Sequence, residues 1–299
     1  YAMVYPENFE SKIGFDIIRN QCRELCTMRR SAELLDEQTF STSPRQIANR
    51  QALAAEMGTI LTMDSGVLKD EFYDIDTFVE TLRVEGTFLD CDKVLCMGVT
   101  LSAAAAVVEI IRNSEQFTAL NRLSTGIEPL WHIIKEIERI IDERGNMRDN
   151  ASPELAAVRR EIRQSEGQVS KRLQAVLQSA KSAGIVDSDA AISIREGRAV
   201  IPVAAANKRK LQGFIHDESA TGKTFYVEPV EVVELNNRLK ELEYTERREV
   251  VKVLTAFADL VRVDIEAVAR TAEYVARIDM VRAKARWAAA NDAVQPIIS

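Results

Sequence analysis

From Val230 to Trp287 the chain contains neither glycine nor proline, which leaves one regular structure open to it, a long helix. Apolar residues recur there at steps of three and four: Leu235, Leu239, Leu242, then Val250, Leu254, Phe257, Val261, Ile265, Val268, Ala272 and Val275. That spacing gathers them on one stripe. An unbroken helix of this length would run roughly 85 Å at about 1.5 Å per residue. No single compact core covers such a length, so the stripe must lie against other long helices. The charged run Glu243 to Glu249 interrupts it and reads as a solvated face or a joint.

Suitable partners precede it. Ile127 to Asp142 carries Leu130, Ile133, Ile134, Ile137, Ile140 and Ile141 at helical spacing. Ser152-Pro153-Glu154 then opens a helix that reaches Gly184, with a capping hydroxyl, a proline in the first turn and a carboxylate near the positive helix end. Further upstream, 9–35 reads as a helix, Ser43-Pro44 starts another that runs to about Met63, Asp76 to Val84 is short, and Asp90 begins a long apolar helix with an alanine run at 103–106.

Between the long helices the texture changes. Ile192-Ser-Ile-Arg195, Ala199-Val-Ile-Pro-Val203, Leu211-Gln-Gly-Phe-Ile215 and Thr224-Phe-Tyr-Val227 are short, β-branched or aromatic, and partly alternating. They predict four strands, with Pro202 at an edge or bulge because it cannot donate to a ladder. The fold class is therefore mainly α: a helical core, long antiparallel lever helices and a small β-rich module inserted at the lever tip. The expected boundaries are 1–118 for the core, 119–190 for the ascending lever, 191–229 for the β-rich module and 230–299 for the descending lever helix and its return to the core.

Composition closes off several alternatives. At 46 % hydrophobic and 28 % charged residues the chain can fill a core, so neither disorder nor a disulfide-stapled miniature is expected. Cys22, Cys26, Cys91 and Cys96 have spacings that could serve zinc, but His132 and His216 lie far from both pairs. They read as reduced core thiols, and no metal is expected. No apolar window long enough to span a bilayer is evident, and early acids argue against a signal peptide. A cytoplasmic protein follows. Tyr1-Ala2 reads as a remnant ahead of Met3.

The net charge is −7, yet between Arg195 and Lys223 six bases face three acids, +3, which leaves −10 for the rest. Arg195, Arg198, Lys208, Arg209, Lys210 and Lys223 are the candidate nucleic-acid-binding residues, aimed at backbone phosphate rather than at bases. Gly222-Lys223-Thr224 imitates the end of a phosphate loop. Position 217 is Asp instead of the required glycine, and a strand follows instead of a helix, so it reads as a turn. His216-Asp217-Glu218-Ser219 lacks an organised nucleophile, and no catalytic residue is assigned.

The block His216 to Pro229, continued by Val232-Val-Glu-Leu-Asn-Asn-Arg-Leu-Lys-Glu-Leu-Glu243, closely resembles the clamp-to-lever stretch of the MutS-two family, the MutS paralogues without a mismatch-reading domain. The opening Tyr5 to Phe15 is similar to that family's start, and the layout of Asp74 to Leu123 is similar too. Lys223 departs from the small or neutral residue common there. The resemblance implies a clamp at a lever tip and a chain that is the N-terminal part of a longer protein. That protein would carry an ATPase domain using ATP and Mg and an Smr-type endonuclease domain, and would form a homodimer. It further implies branched DNA, in suppression of recombination, or ribosomal RNA, in rescue of collided ribosomes, as partner. This stretch itself is expected to bind no cofactor. The rival expectation is a structural helical arm for self-association or protein docking.

Overall fold

A computed structural model describes residues 6–63, 68 and 72–298; the reading of Met3 as a start lies outside them. The described residues form eleven α-helices and one four-stranded antiparallel sheet. The chain divides into two compact units, 1–148 with 254–299, and 149–253.

The first unit is helical. It contains α1 (Phe9–Lys12), α2 (Phe15–Glu24), α3 (Arg29–Asp36), α4 (Pro44–Thr62), α5 (Asp76–Leu82), α6 (Cys91–Arg112), α7 (Thr118–Leu123) and α8 (Trp131–Ile140). Where one helix was expected over 9–35 there are three. Gly14 takes φ +76, a conformation open to glycine and closed to helix continuation. Met28 then holds an extended link into α3. The other starts follow the sequence signals: Ser43, Asp90 and, in the second unit, Ser152 each accept a backbone N–H from three residues on.

One expectation is corrected by α6. By length and composition this helix is apolar enough to cross a membrane. Its Val94, Met97, Leu101, Val107, Val108 and Ile111 are buried within the helical unit, packed against α7, α8 and α11 (Ile265–Ala290). Cys22, Cys26, Cys91 and Cys96 form no disulfide, and Cys22 is buried.

The first unit closes around α11, which packs on α2, α3, α4, α5 and α6. Its Asp279, fully buried, accepts the backbone N–H groups of Thr27 at 2.8 Å and Met28 at 3.0 Å and the Ser31 hydroxyl. Those two amides belong to the turn that leads into α3, whose own first-turn amides, Arg29 and Arg30, donate to Asp74 at 2.7 and 3.1 Å, so a late residue fixes the approach to an early helix. Arg282 neutralises the carboxylate at 2.6 Å and stacks 4.1 Å from the Phe72 ring centroid.

The long helix expected from 230 onward is two helices, α10 (Val230–Val263) and α11. The break needs no glycine or proline. Asp264, a poor helix former, departs from helical geometry, and its carboxylate lies 2.8 Å from His132 Nε2 on α8. Arg262 donates to the carbonyls of Leu82 and Thr87, anchoring the joint to the end of α5. The charged run at 243–249 causes no interruption; it lies within α10, where Glu246 accepts from Arg159 at 2.8 Å.

The second unit holds α9 (Pro153–Ser182), the first part of α10, and strands β1 (Ser193–Arg195), β2 (Arg198–Ala204), β3 (Gly213–Glu218) and β4 (Thr224–Pro229) in the order β1-β2-β4-β3. Arg159–Glu246 and Arg238–Glu161 pairs tie α9 and α10 together in antiparallel order. Alternate strand residues Ala199, Ile201 and Val203 of β2 and Phe225 and Val227 of β4 pack with Leu173 and Leu177 of α9 and Val232 of α10. Pro202 sits in a central strand, opposite Tyr226, and not at a sheet edge or bulge. It is tolerated because β1 spans three residues and pairs no further than Val200, so the other side of Pro202 has no ladder to feed.

Candidate nucleic-acid interface

The sheet distributes the six candidate cations unequally. Lys208, Arg209 and Lys210 follow the 3-10 turn Ala205–Asn207 at the end of β2. Lys223 lies in the β3–β4 turn, whose backbone is tied to the same place by the Ala205 N–H donating to the Lys223 carbonyl at 2.9 Å. These four cations are therefore neighbours at one end of the sheet, and all four are exposed. The Lys208 ammonium stands 4.6 Å from the Phe225 ring centroid, which holds the charge in place without neutralising it. Among the described residues no carboxylate pairs with Lys208, Arg209, Lys210 or Lys223.

Arg195 and Arg198 flank the β1–β2 turn at the other end of β2, and both are engaged. The Arg195 guanidinium lies 3.9 Å from the Tyr226 ring centroid and 3.1 Å from Asp217. Arg198 donates to Glu228 Oε1 and to Asn237 Oδ1, each at 2.7 Å.

Glu228 was not singled out by the sequence, and it is the most constrained ionisable group of the sheet. Its side chain is 1 % exposed, and it accepts from Arg198, from Asn236 at 2.7 Å and from His216. Burial alone would raise its pKa; the hydrogen bonds from Asn236, His216 and Arg198 more than reverse that and hold it below the ordinary glutamate range. A glutamate before a proline at a strand end, with Asn236-Asn237 two helical turns on, is the sequence trace of this cluster. His216 thus serves a buried carboxylate inside strand β3, where the register against β4 shifts by one residue.

Gly222-Lys223-Thr224 is a tight turn, the Gly222 N–H donating to the Ser219 carbonyl at 2.7 Å. Thr224 opens strand β4, so the turn is followed by a strand and not by the helix whose N-terminus a phosphate loop uses, and these residues do not fit a nucleoside triphosphate. Among the described residues no group of His, Cys, Asp and Glu is arranged to hold a metal ion.

No family model matches the chain. Individual relatives do. A protein of Thermomicrobium roseum named Endonuclease MutS2 is 32 % identical over 288 residues, 95 % of this chain. One of a Geobacillus species with the same name is 30 % identical over 291 residues, 96 % of the chain, and one of Symbiobacterium thermophilum is 29 % identical over 284 residues. The chain belongs to the MutS2 family. The match takes in nearly all of this chain but only 35 to 37 % of each of those MutS2 proteins. The cation cluster and the Glu228 network therefore lie inside the stretch that aligns with MutS2.

Proposed function

We propose that residues 191–229 are a clamp that grips the phosphate backbone of nucleic acid, carried by an ascending lever, 119–190, and by 230–299, a descending lever helix that returns to the helical core begun by 1–118. The observation that supports it best is the cluster of Lys208, Arg209, Lys210 and Lys223: four exposed, carboxylate-free cations at one end of a rigid sheet, on a chain of net charge −7. Arg195 and Arg198 support the sheet and contact phosphate less directly, since Asp217 and Glu228 already neutralise them.

In a whole protein of this family the clamp would serve a cytoplasmic, homodimeric MutS-type ATPase, with ATP and Mg bound by other residues than these, and an Smr-type endonuclease. Its role would be in DNA repair and recombination on branched DNA, or on ribosomal RNA of collided ribosomes. No catalytic residue is assigned to this chain.

Fluorescence anisotropy with labelled duplex, four-way junction and structured RNA, from 50 to 200 mM salt, tests the reading. If four phosphates are contacted on duplex, affinity falls roughly a hundredfold over that range. Replacing Lys208, Arg209 and Lys210 by Ala should flatten the salt slope by about 2.7, three contacts at about 0.9 each, with the melting temperature nearly unchanged because exposed charges contribute little to stability. Binding that ignores both salt and the triple substitution would reject the clamp and favour a helical arm for protein docking.

A further inference from the structure

We propose that Lys284 and Arg50 form a seat for one phosphate dianion, free or as the terminal monoester of a small molecule. The seat lies in the helical unit, and the proposal stands apart from the nucleic-acid reading.

Consecutive residues of the link between α3 and α4 draw the two cations together. The Lys284 ammonium, on α11, donates to Gln38 Oε1. The Arg50 guanidinium, on α4, donates through Nη1 to the Thr39 carbonyl at 3.0 Å. Adjacent Cα atoms are about 3.8 Å apart, and α11 packs directly on α4, so both charges come to one short stretch of backbone.

Neither cation has a counter-charge. Among the described residues no carboxylate pairs with Lys284 or with Arg50, although both side chains are partly buried. Arg282, two residues earlier on the same helix, shows the ordinary arrangement: it is fully buried and has Asp279 at 2.6 Å. Arg19 of α2 is also satisfied, by Glu10 at 2.8 Å and by the Leu35 carbonyl at 2.7 Å. A desolvated charge without a partner is destabilising. Burial, and after it the repulsion of Arg50, press the Lys284 pKa down to about 8. Arg19 adds to that push, while the Cys22 and Cys26 thiols oppose it.

Two uncompensated positive charges match a dianion. A phosphate monoester carries about −1.5 to −2 at pH 7, whereas a carboxylate brings a single charge. The donors match as well. With Nη1 committed to Thr39, Arg50 keeps its Nε–Nη2 edge for two parallel hydrogen bonds, the geometry in which a guanidinium takes phosphate. Lys284 uses one of its three N–H donors on Gln38 and keeps the others. Partial burial of both side chains favours a small oxyanion over a polymer backbone.

Isothermal titration calorimetry of the intact chain with glycerol 3-phosphate, with inorganic phosphate and with acetate tests this. One site per chain is expected for phosphate, and the tighter of the two phosphate probes tells whether the ester or the free ion is preferred. Acetate should bind at least about tenfold more weakly, because it brings half the charge. Between pH 7.5 and 9.5, where both phosphate probes stay mainly dianionic, affinity should fall roughly twentyfold as Lys284, with its pKa of about 8, gives up its proton. Lys284→Met keeps the stem without the charge and should abolish binding. Arg50→Gln should weaken it about tenfold or more by removing the bidentate contact, with circular dichroism unchanged. Should Lys284→Met fail to fold, Arg50→Gln and the pH profile decide. Phosphate held by the clamp cations in the other unit would survive both variants. Heat that survives both, equal affinity for acetate, or no heat from either phosphate probe overturns the proposal.

Discussion

Asp279 and Glu228 are buried carboxylates in different units, and each organises donors brought from distant parts of the chain. Asp279 takes two backbone N–H groups, the Thr27 and Ser31 hydroxyls and the Arg282 guanidinium. Replacing it by Ala leaves the buried Arg282 cation without its anion and the Thr27 and Met28 amides without their acceptor. Asp279→Ala should lose about 3–5 kcal/mol in urea unfolding. Glu228 gives a pH signature instead. Its pKa is depressed in the fold, so its stabilisation is complete above the ordinary glutamate value of 4.5 and is lost as pH falls through the lower, folded value. The stability difference between the wild type and Glu228→Gln should therefore be widest near neutrality and close progressively below about pH 4.5. A difference constant down to pH 3 would show that the carboxylate charge is not what the network uses.

At the scale of elements, close packing between strands sets its own demand. A Cβ on Gly213 would come 2.1 Å from the Glu228 carbonyl oxygen, with Val227 also in the way. Backbone cannot yield as a side-chain tip can, so Gly213→Ala should cost about 1–3 kcal/mol, read as a lower melting temperature of the sheet-bearing unit. Elements with a local cause were legible in the sequence. Ser43, Asp90 and Ser152 announce their helices because a cap is written within four residues of where it acts, and the four strands stand out by β-branching between Gly and Pro turns. What escaped depended on distant residues. The break at Asp264 is stabilised by His132, 132 residues away, and nothing near Asp264 but its own poor propensity marks it. The six cations were all visible as charges. Which of them are free was not, because Asp217, Glu228 and Asn237 reach Arg195 and Arg198 only across the folded sheet.

For the whole molecule, the division at 148/149 and 253/254 predicts unfolding in more than one step. Calorimetry should resolve two transitions. Asp279→Ala is expected to lower one and Gly213→Ala the other, while a single transition that both variants shift would mean that the units melt together. The two units also differ in how their sequence is assembled. The sheet-bearing unit is one continuous run, 149–253. The helical unit is discontinuous, and the hydrogen bond that the Thr27 N–H donates to Asp279 spans 252 residues. At about 5–20 residues per second of translation, the start of α3 waits roughly 10–50 s after its own synthesis for the residue that completes it. Throughout that interval the faces of α2 and α3 that α11 will cover stay open. The earliest-made helices of this unit are thus among the last parts of it to be finished.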